Sequence, residues 1–427
     1  MKAKTMKTNI RFAAVFAALL TVICLSSAAR ADVITDWNEI AQQALLNAAS
    51  SPVISSRSMA IVQVSVFDAV NGIERHYVPI HADMQAPRGA SRRAAAIQAA
   101  YGSLRRLFPA QLVFLDAQRE ASLASIASGK GAENSQSIAR GIEWGELVAN
   151  DIFTWRSTDG ITPAPPPFLG GMAAGQWRPT PVGFLPGALP QFGYMTPWAI
   201  DAPAQFRSAG PPALTSAQYT ADYNEVAAIG SSTSMTRTAD QTQIAVFWNG
   251  NTPVMWNRAA RYASAQHDLN LSQNARLFAQ MNVAMADAVI SCWEAKYYYV
   301  FWRPITAIRL GSTDGNPNTT EDMAWTPLLT TPNHPDYPSG HATVSPAAGK
   351  VLVSYFGNDI EMPLTSETTP GVTREYHSFA QAVQEAFDAR IYGGIHFRTA
   401  CLDGRAQGNQ VGDLVVDRVA RSIHAMD

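Results

Sequence analysis

The chain has 427 residues, with 32 Lys and Arg against 34 Asp and Glu, a formal net charge of −2 and 47% hydrophobic residues. That length and apolar content suffice for one large core or two fused ones. The charge balance provides no general positive field, which argues against nucleic acid or acidic membranes as partners.

Residues 1–31 read as a secretory signal. Lys2, Lys4, Lys7 and Arg11 precede the apolar run 12–25, and Ala29-Arg30-Ala31 forms an A-x-A cleavage site. The run is short for a bilayer span and no other stretch reads as long and apolar enough, so the expectation is an exported protein, periplasmic or extracellular, without stable membrane insertion. Removing the signal's five basic residues leaves 27 Lys and Arg and a net charge of −7, so any basic cluster in the mature chain is a local feature. Cys292 and Cys401 remain, and read as buried small hydrophobes in preference to a disulfide.

Helical periodicity covers 37–49, 56–73, 90–107, 109–128 and 133–156. Asp68 and Asn71 fall inside this pattern as interior polar groups or caps. From 160 to 215 the composition changes, with Pro163, Pro165, Pro166, Pro167 and Gly170-Gly171 close together. This composition disfavours regular elements, and the aromatic residues within it predict a loop packed over a helical bundle as one wall of an entrance. Helical patterns return at 216–229, 240–247, 257–267 and 272–301, with Trp248, Trp256 and Trp302 as core residues. No alternating β-branched run is long enough for a substantial sheet. The expected fold is all-α: an N-terminal helical region 32–215 that includes the loop 160–215, and a C-terminal helical region 216–427.

Three segments in the last third carry the chemistry. In Lys296-Tyr-Tyr-Tyr-Val-Phe-Trp-Arg303-Pro304, seven steps of about 100° return Lys296 and Arg303 to nearly one helix face, with the helix ending at Arg303 before the proline. In Pro338-Ser339-Gly340-His341, a helix entrance offers a hydroxyl, close backbone approach and unpaired N–H groups to an anion, although Pro346 predicts a kink or a late start. In Arg390-Ile-Tyr-Gly393-Gly394-Ile-His396, Arg390 and His396 would diverge by about 120° on an unbroken helix, so the glycine pair is where the chain turns both toward one site. Together these groups match what a tetrahedral oxyanion demands.

At these residues the chain resembles the vanadium-dependent haloperoxidases and the type 2 phosphatidic acid phosphatases, which share one site pattern. The longer phrases, Lys296 through Arg309 and Pro332-Asn-His-Pro-Asp-Tyr-Pro-Ser-Gly-His341, are similar to the soluble haloperoxidase branch. The resemblance implies two fused helical bundles and bound vanadate, with phosphate competing for the same place. It implies that His396 is the covalent ligand to the metal, that Lys296, Arg303 and Arg390 neutralise the oxyanion, and that Ser339 and Gly340 donate hydrogen bonds. His341 would be the general acid/base, and Lys296 would polarise bound peroxide. His334 falls where brominating members carry His and chlorinating ones Phe, which favours bromide or iodide.

Two departures stand out: Ala389 replaces a serine, and Ala400 replaces an aspartate expected to orient the final histidine, with Asp403 as an out-of-register stand-in. The implied activity is oxidation of halide by hydrogen peroxide to hypohalous acid, passed to an organic acceptor. The alternative is a soluble phosphatase that attacks a phosphate ester through a phosphohistidine at His396. The third reading is a non-catalytic oxyanion-binding homologue. Oligomeric state is left open.

Overall fold

The computed structural model describes residues 32–129 and 131–423. The segment read as a secretory signal lies outside the described residues. Five helices precede the Pro/Gly-rich loop: α1 (Val33–Asn47), α2 (Pro52–Glu74), α3 (Arg92–Leu107), α4 (Leu112–Ile126) and α5 (Ser135–Arg156). Eight follow it: α6 (Ala217–Ile229), α7 (Ala239–Phe247), α8 (Thr252–Gln266), α9 (Leu271–Tyr299), α10 (Pro304–Arg309), α11 (Gly340–Phe356), α12 (Phe379–Tyr392) and α13 (Arg398–Arg418).

Local chemistry explains most of these boundaries. Asp32, Ser51, Ser91, Asn134, Ser216, Thr238 and Asn270 each accept a backbone N–H from the first turn they precede. α8 begins five residues before its periodic pattern, because Pro253 is tolerated in a first turn. α11 likewise runs from Gly340 straight through Pro346, so the expected kink or late start is not found.

The fold is all-α as expected, with one addition. A two-stranded antiparallel hairpin, β1 (Asp359–Thr365) and β2 (Thr373–Ser378), separates α11 from α12. α12 starts directly after the hairpin, at Phe379. The hairpin alternates over only a few residues, with Ile360, Met362 and Leu364 turned inward, too short a run to register as a sheet in sequence.

α9 is the axis of the molecule. Its 29 residues are buried almost all round between Ser272 and Lys296, and it packs on α2, α11 and α13. One continuous apolar core runs from Ile34 in α1 to Ala420 beyond α13. Buried amides set the register within it: Asn38 of α1 donates to Asn257 of α8, and Asn257 and Asn282 of α9 exchange hydrogen bonds. α2 is long and apolar enough to cross a membrane, which the sequence reading did not expect, but 89% of its apolar window is buried inside the protein.

The loop 160–215 lies along the C-terminal half of α9. Asp287 accepts the backbone N–H groups of Trp198, Ala199 and Ile200 at 2.7–3.0 Å. The Trp293 indole and the Tyr297 hydroxyl both donate to the Ala188 carbonyl, and Arg207 pairs with Glu294. Asn333 then ties the loop to the segment before α11, through its side chain to Pro186 and its carbonyl to Ala188.

Candidate functional site

α9 stops earlier than its periodicity suggests. It ends at Tyr299, Val300 adopts a left-handed backbone, and Arg303 becomes the N-cap of α10. Lys296 and Arg303 therefore meet through a turn and not along one helix face. From the last turn of α9, Lys296 donates to the carbonyls of Pro335 and Asp336 at 2.8 and 3.0 Å. Arg303 reaches across the same segment, donating from Nε to the His334 carbonyl at 2.7 Å and from a terminal nitrogen to the Ile395 carbonyl at 2.6 Å.

The second segment enters as the start of α11. Ser339 occupies the N-cap, but its hydroxyl makes no capping bond and is buried without any partner. Its backbone N–H donates to the Ala400 carbonyl. A Cβ on Gly340 would stand 3.3 Å from the Trp293 ring, a tight contact that glycine avoids. His341, half-buried, points Nε2 toward the Gly250 carbonyl at 3.4 Å.

The third segment turns as its glycines require. α12 ends at Tyr392, and Gly394 takes a φ of +73°, with its backbone against Gly230. Arg390 donates to the Trp248 carbonyl at 3.0 Å while its buried Nε has no partner. His396, beyond the turn, brings Nε2 to 3.1 Å from an Arg303 terminal nitrogen.

Lys296 and Arg303 thus lie beside the Asp336 carboxylate in the protein interior, and Arg390 is a third buried cation of the site. Lys296, Arg303 and Asp336 are each 0% exposed and Arg390 1%. Burial pushes the Lys296 ammonium down to about 7 and the Asp336 carboxyl up to about 7, the latter against the opposing pull of Arg303 and Lys296. Burial, reinforced by the surrounding cations, holds His334, His341 and His396 well below the ordinary imidazole range, so all three are neutral at pH 7. An uncompensated cluster of buried cations beside unused donors, Ser339 Oγ and Arg390 Nε, is a site shaped for an anion.

Comparison with known proteins agrees with this geometry. Residues 276–425 match the family model of the VCPO second helical-bundle domain. Over 289 residues, 51% of this chain, the sequence is 26% identical to vanadium chloroperoxidase from Curvularia inaequalis, and the match spans 46% of that relative's length. The crystal structure of a bacterial vanadium-dependent iodoperoxidase superposes with a TM-score of 0.79 at 26% identity, covering 91% of this chain and 96% of that one. The chain is a relative of the vanadium haloperoxidases. A holo-type bacterial vanadium-dependent chloroperoxidase shares the fold, with a TM-score of 0.68 at 18% identity over 86% of this chain and 92% of that one.

Against the haloperoxidase pattern, the structure brings Lys296, Arg303, Ser339, Gly340, His341, Arg390 and His396 to one place. His334 joins them, its Nδ1 at 2.9 Å from Arg303 and its ring tilted against Trp293 at 4.9 Å. Asp403 does not take the place of the aspartate missing at Ala400. It accepts instead from the Tyr337 hydroxyl at 2.5 Å. The carboxylate beside His396 is Asp336, whose Oδ1 lies 2.8 Å from His396 Nδ1. Cys292 and Cys401 are free and buried.

Four residues escaped the sequence reading. Asp336 lay inside a quoted phrase, but only the packing of that phrase against α13 shows what it faces. Trp293 sits one turn before Lys296 on α9, and its spacing was a usable signal. The carbonyls of Trp248 and Gly250, from the turn between α7 and α8, left no trace in the side-chain pattern.

The residues fit vanadate. They supply three buried cations, two unpartnered donors, a helix N-terminus and a histidine nitrogen, the donor set for a multiply charged tetrahedral or trigonal oxyanion.

Proposed function

We propose that this protein is a vanadate-dependent haloperoxidase that uses hydrogen peroxide to oxidise bromide or iodide to hypohalous acid, for transfer to an organic acceptor. The observation that carries this reading is the convergence of Lys296, Arg303 and Arg390 with the unpartnered Ser339 hydroxyl around a neutral His396. Vanadate held there would act as a Lewis acid that activates hydrogen peroxide toward halide.

The chain's own part is to bind, orient and move protons. Lys296, Arg303 and Arg390 balance the negative charge of the oxyanion, and Ser339 with the Gly340 N–H donates to its oxygens. His396 is the histidine ligand. His341, neutral and held toward the Gly250 carbonyl, accepts a proton from incoming peroxide. His334 and Trp293 line the flank from which halide approaches. His334 favours bromide or iodide over chloride. We infer further that residues 1–31 are removed on export, which N-terminal sequencing of the secreted protein tests.

One assay pair decides the reaction. Purified protein is given bromide and peroxide with and without vanadate, and separately p-nitrophenyl phosphate without vanadate. Halogenation that requires vanadate and is suppressed by phosphate is the expected result. Phosphate release without halogenation would establish the phosphohistidine route instead, and neither activity would leave an oxyanion-binding homologue.

A further inference from the structure

The carboxylate that faces His396 comes from an unexpected part of the chain. Asp336 lies on the segment that leads into α11, not on α13 with the histidine's own neighbours. Its Oδ1 is 2.8 Å from His396 Nδ1 and 3.9 Å from an Arg303 terminal nitrogen. Its backbone is clamped from both directions, the N–H donating to the Phe301 carbonyl at 2.9 Å and the carbonyl accepting from Lys296. One residue therefore touches Lys296, Arg303 and His396.

We propose that Asp336 is a positioning residue that fixes His396 as the Nδ1–H tautomer and so presents a bare Nε2 to the oxyanion. The argument is one of donors and acceptors. A guanidinium has no lone pair to offer, so the Arg303 nitrogen 3.1 Å from Nε2 donates, and Nε2 must be the acceptor. A neutral imidazole carries one proton, which then sits on Nδ1, 2.8 Å from the Asp336 carboxyl, where the charge of a carboxylate favours it even though neither Nδ1 nor the Asp336 oxygens complete an aligned hydrogen bond. Free histidine side chains favour the opposite tautomer, so the fold imposes this one.

The same contact accounts for the loss of an aspartate at Ala400. Ala400 is buried, and its carbonyl is taken by the Ser339 N–H. The orienting carboxylate has moved from the helix that follows His396 to the strand of chain that precedes Ser339. His396 and the anion-binding entrance of α11 are thereby set by one rigid segment, residues 335–340. The inference rests on the proposed function only in naming His396 as the side chain that meets the oxyanion.

The test begins with the wild-type protein free of vanadate, with its histidines labelled with nitrogen-15 and His396 assigned by comparison with His396→Gln. The expected spectrum shows a protonated Nδ1 and an unprotonated Nε2 at His396. A proton on Nε2 overturns the proposal whatever any variant does. Asp336→Asn and Asp336→Glu are then compared for inorganic phosphate affinity by calorimetry and for KM and kcat in the halogenation assay. Asp336→Asn is expected to disturb the His396 tautomer and to weaken phosphate binding about 10- to 100-fold, with Asp336→Glu recovering part of both. A folded Asp336→Asn protein that keeps the tautomer and binds phosphate within about twofold of wild type would refute the role. A wild-type protein with the Nδ1–H tautomer that binds neither phosphate nor vanadate would support the positioning role and overturn the proposed function.

Discussion

Lys296 shows how burial tunes a single side chain for this site. With its pKa brought from 10.5 to about 7, the folded apo protein has released a proton that the unfolded chain still holds between those values. Apo stability gains from this lysine as pH rises from about 7 toward 10.5, and bears its full penalty below 7. Lys296→Met is expected to flatten that part of the profile, measured by urea denaturation of the apo protein across pH 7–10. At pH 8–9, phosphate should draw a proton back onto Lys296, seen as buffer-dependent heat in calorimetry. His334 tests the halide reading at the same scale. His334→Phe removes the ring nitrogen beside Arg303 and should raise the chloride-to-bromide ratio of kcat/KM, whereas an unchanged ratio would remove this residue from halide selection.

Among the elements, the irregular ones do as much positioning as the helices. Asp287 receives three backbone N–H groups from residues 198–200, and burial, offset by those bonds, holds its carboxyl up near 6. Asp287→Ala leaves the three donors unsatisfied and should cost about 2–4 kcal/mol, read by denaturant titration, with new protease cleavage inside 160–215. The 393–394 turn is equally specific. Gly394 has a left-handed backbone, and a Cβ there would collide with the Gly230 carbonyl at the end of α6. Gly394→Ala should destabilise by about 1–3 kcal/mol and weaken phosphate binding as well, because His396 lies two residues on. Retained phosphate affinity in that variant would show that the turn is not what aims the histidine.

For the whole molecule, the site is a place where the fold tolerates instability. Three buried cations gather with only Asp336 as a nearby carboxylate, and Ser339 Oγ, Arg390 Nε, His396 Nδ1 and the Asp336 oxygens all lack hydrogen-bond partners there. An oxyanion should therefore raise the melting temperature strongly, with about 2.7 kcal/mol gained at a hundredfold excess over Kd. Arg390→Met is expected to lose that phosphate-dependent shift without losing apo stability, since it removes a buried charge with an unsatisfied Nε. Thermal scans with and without phosphate check both outcomes.

Much of this was legible in the linear chain. Periodicity located most helices to within a few residues, because an apolar repeat is a local signal. The motif residues from Lys296 to His396 could be read for the same reason, since an oxyanion calls for these side chains whatever surrounds them. Where Arg303 parts from α9, how the hairpin interrupts 359–378, and which carboxylate meets His396 were not local questions. Asp336 and Asp403 are both aspartates near a site motif, and nothing in their spacing tells them apart. Packing of α9, α11 and α13 sends one to His396 and the other to Tyr337, because a contact between residues 60 apart depends on the path of everything between them.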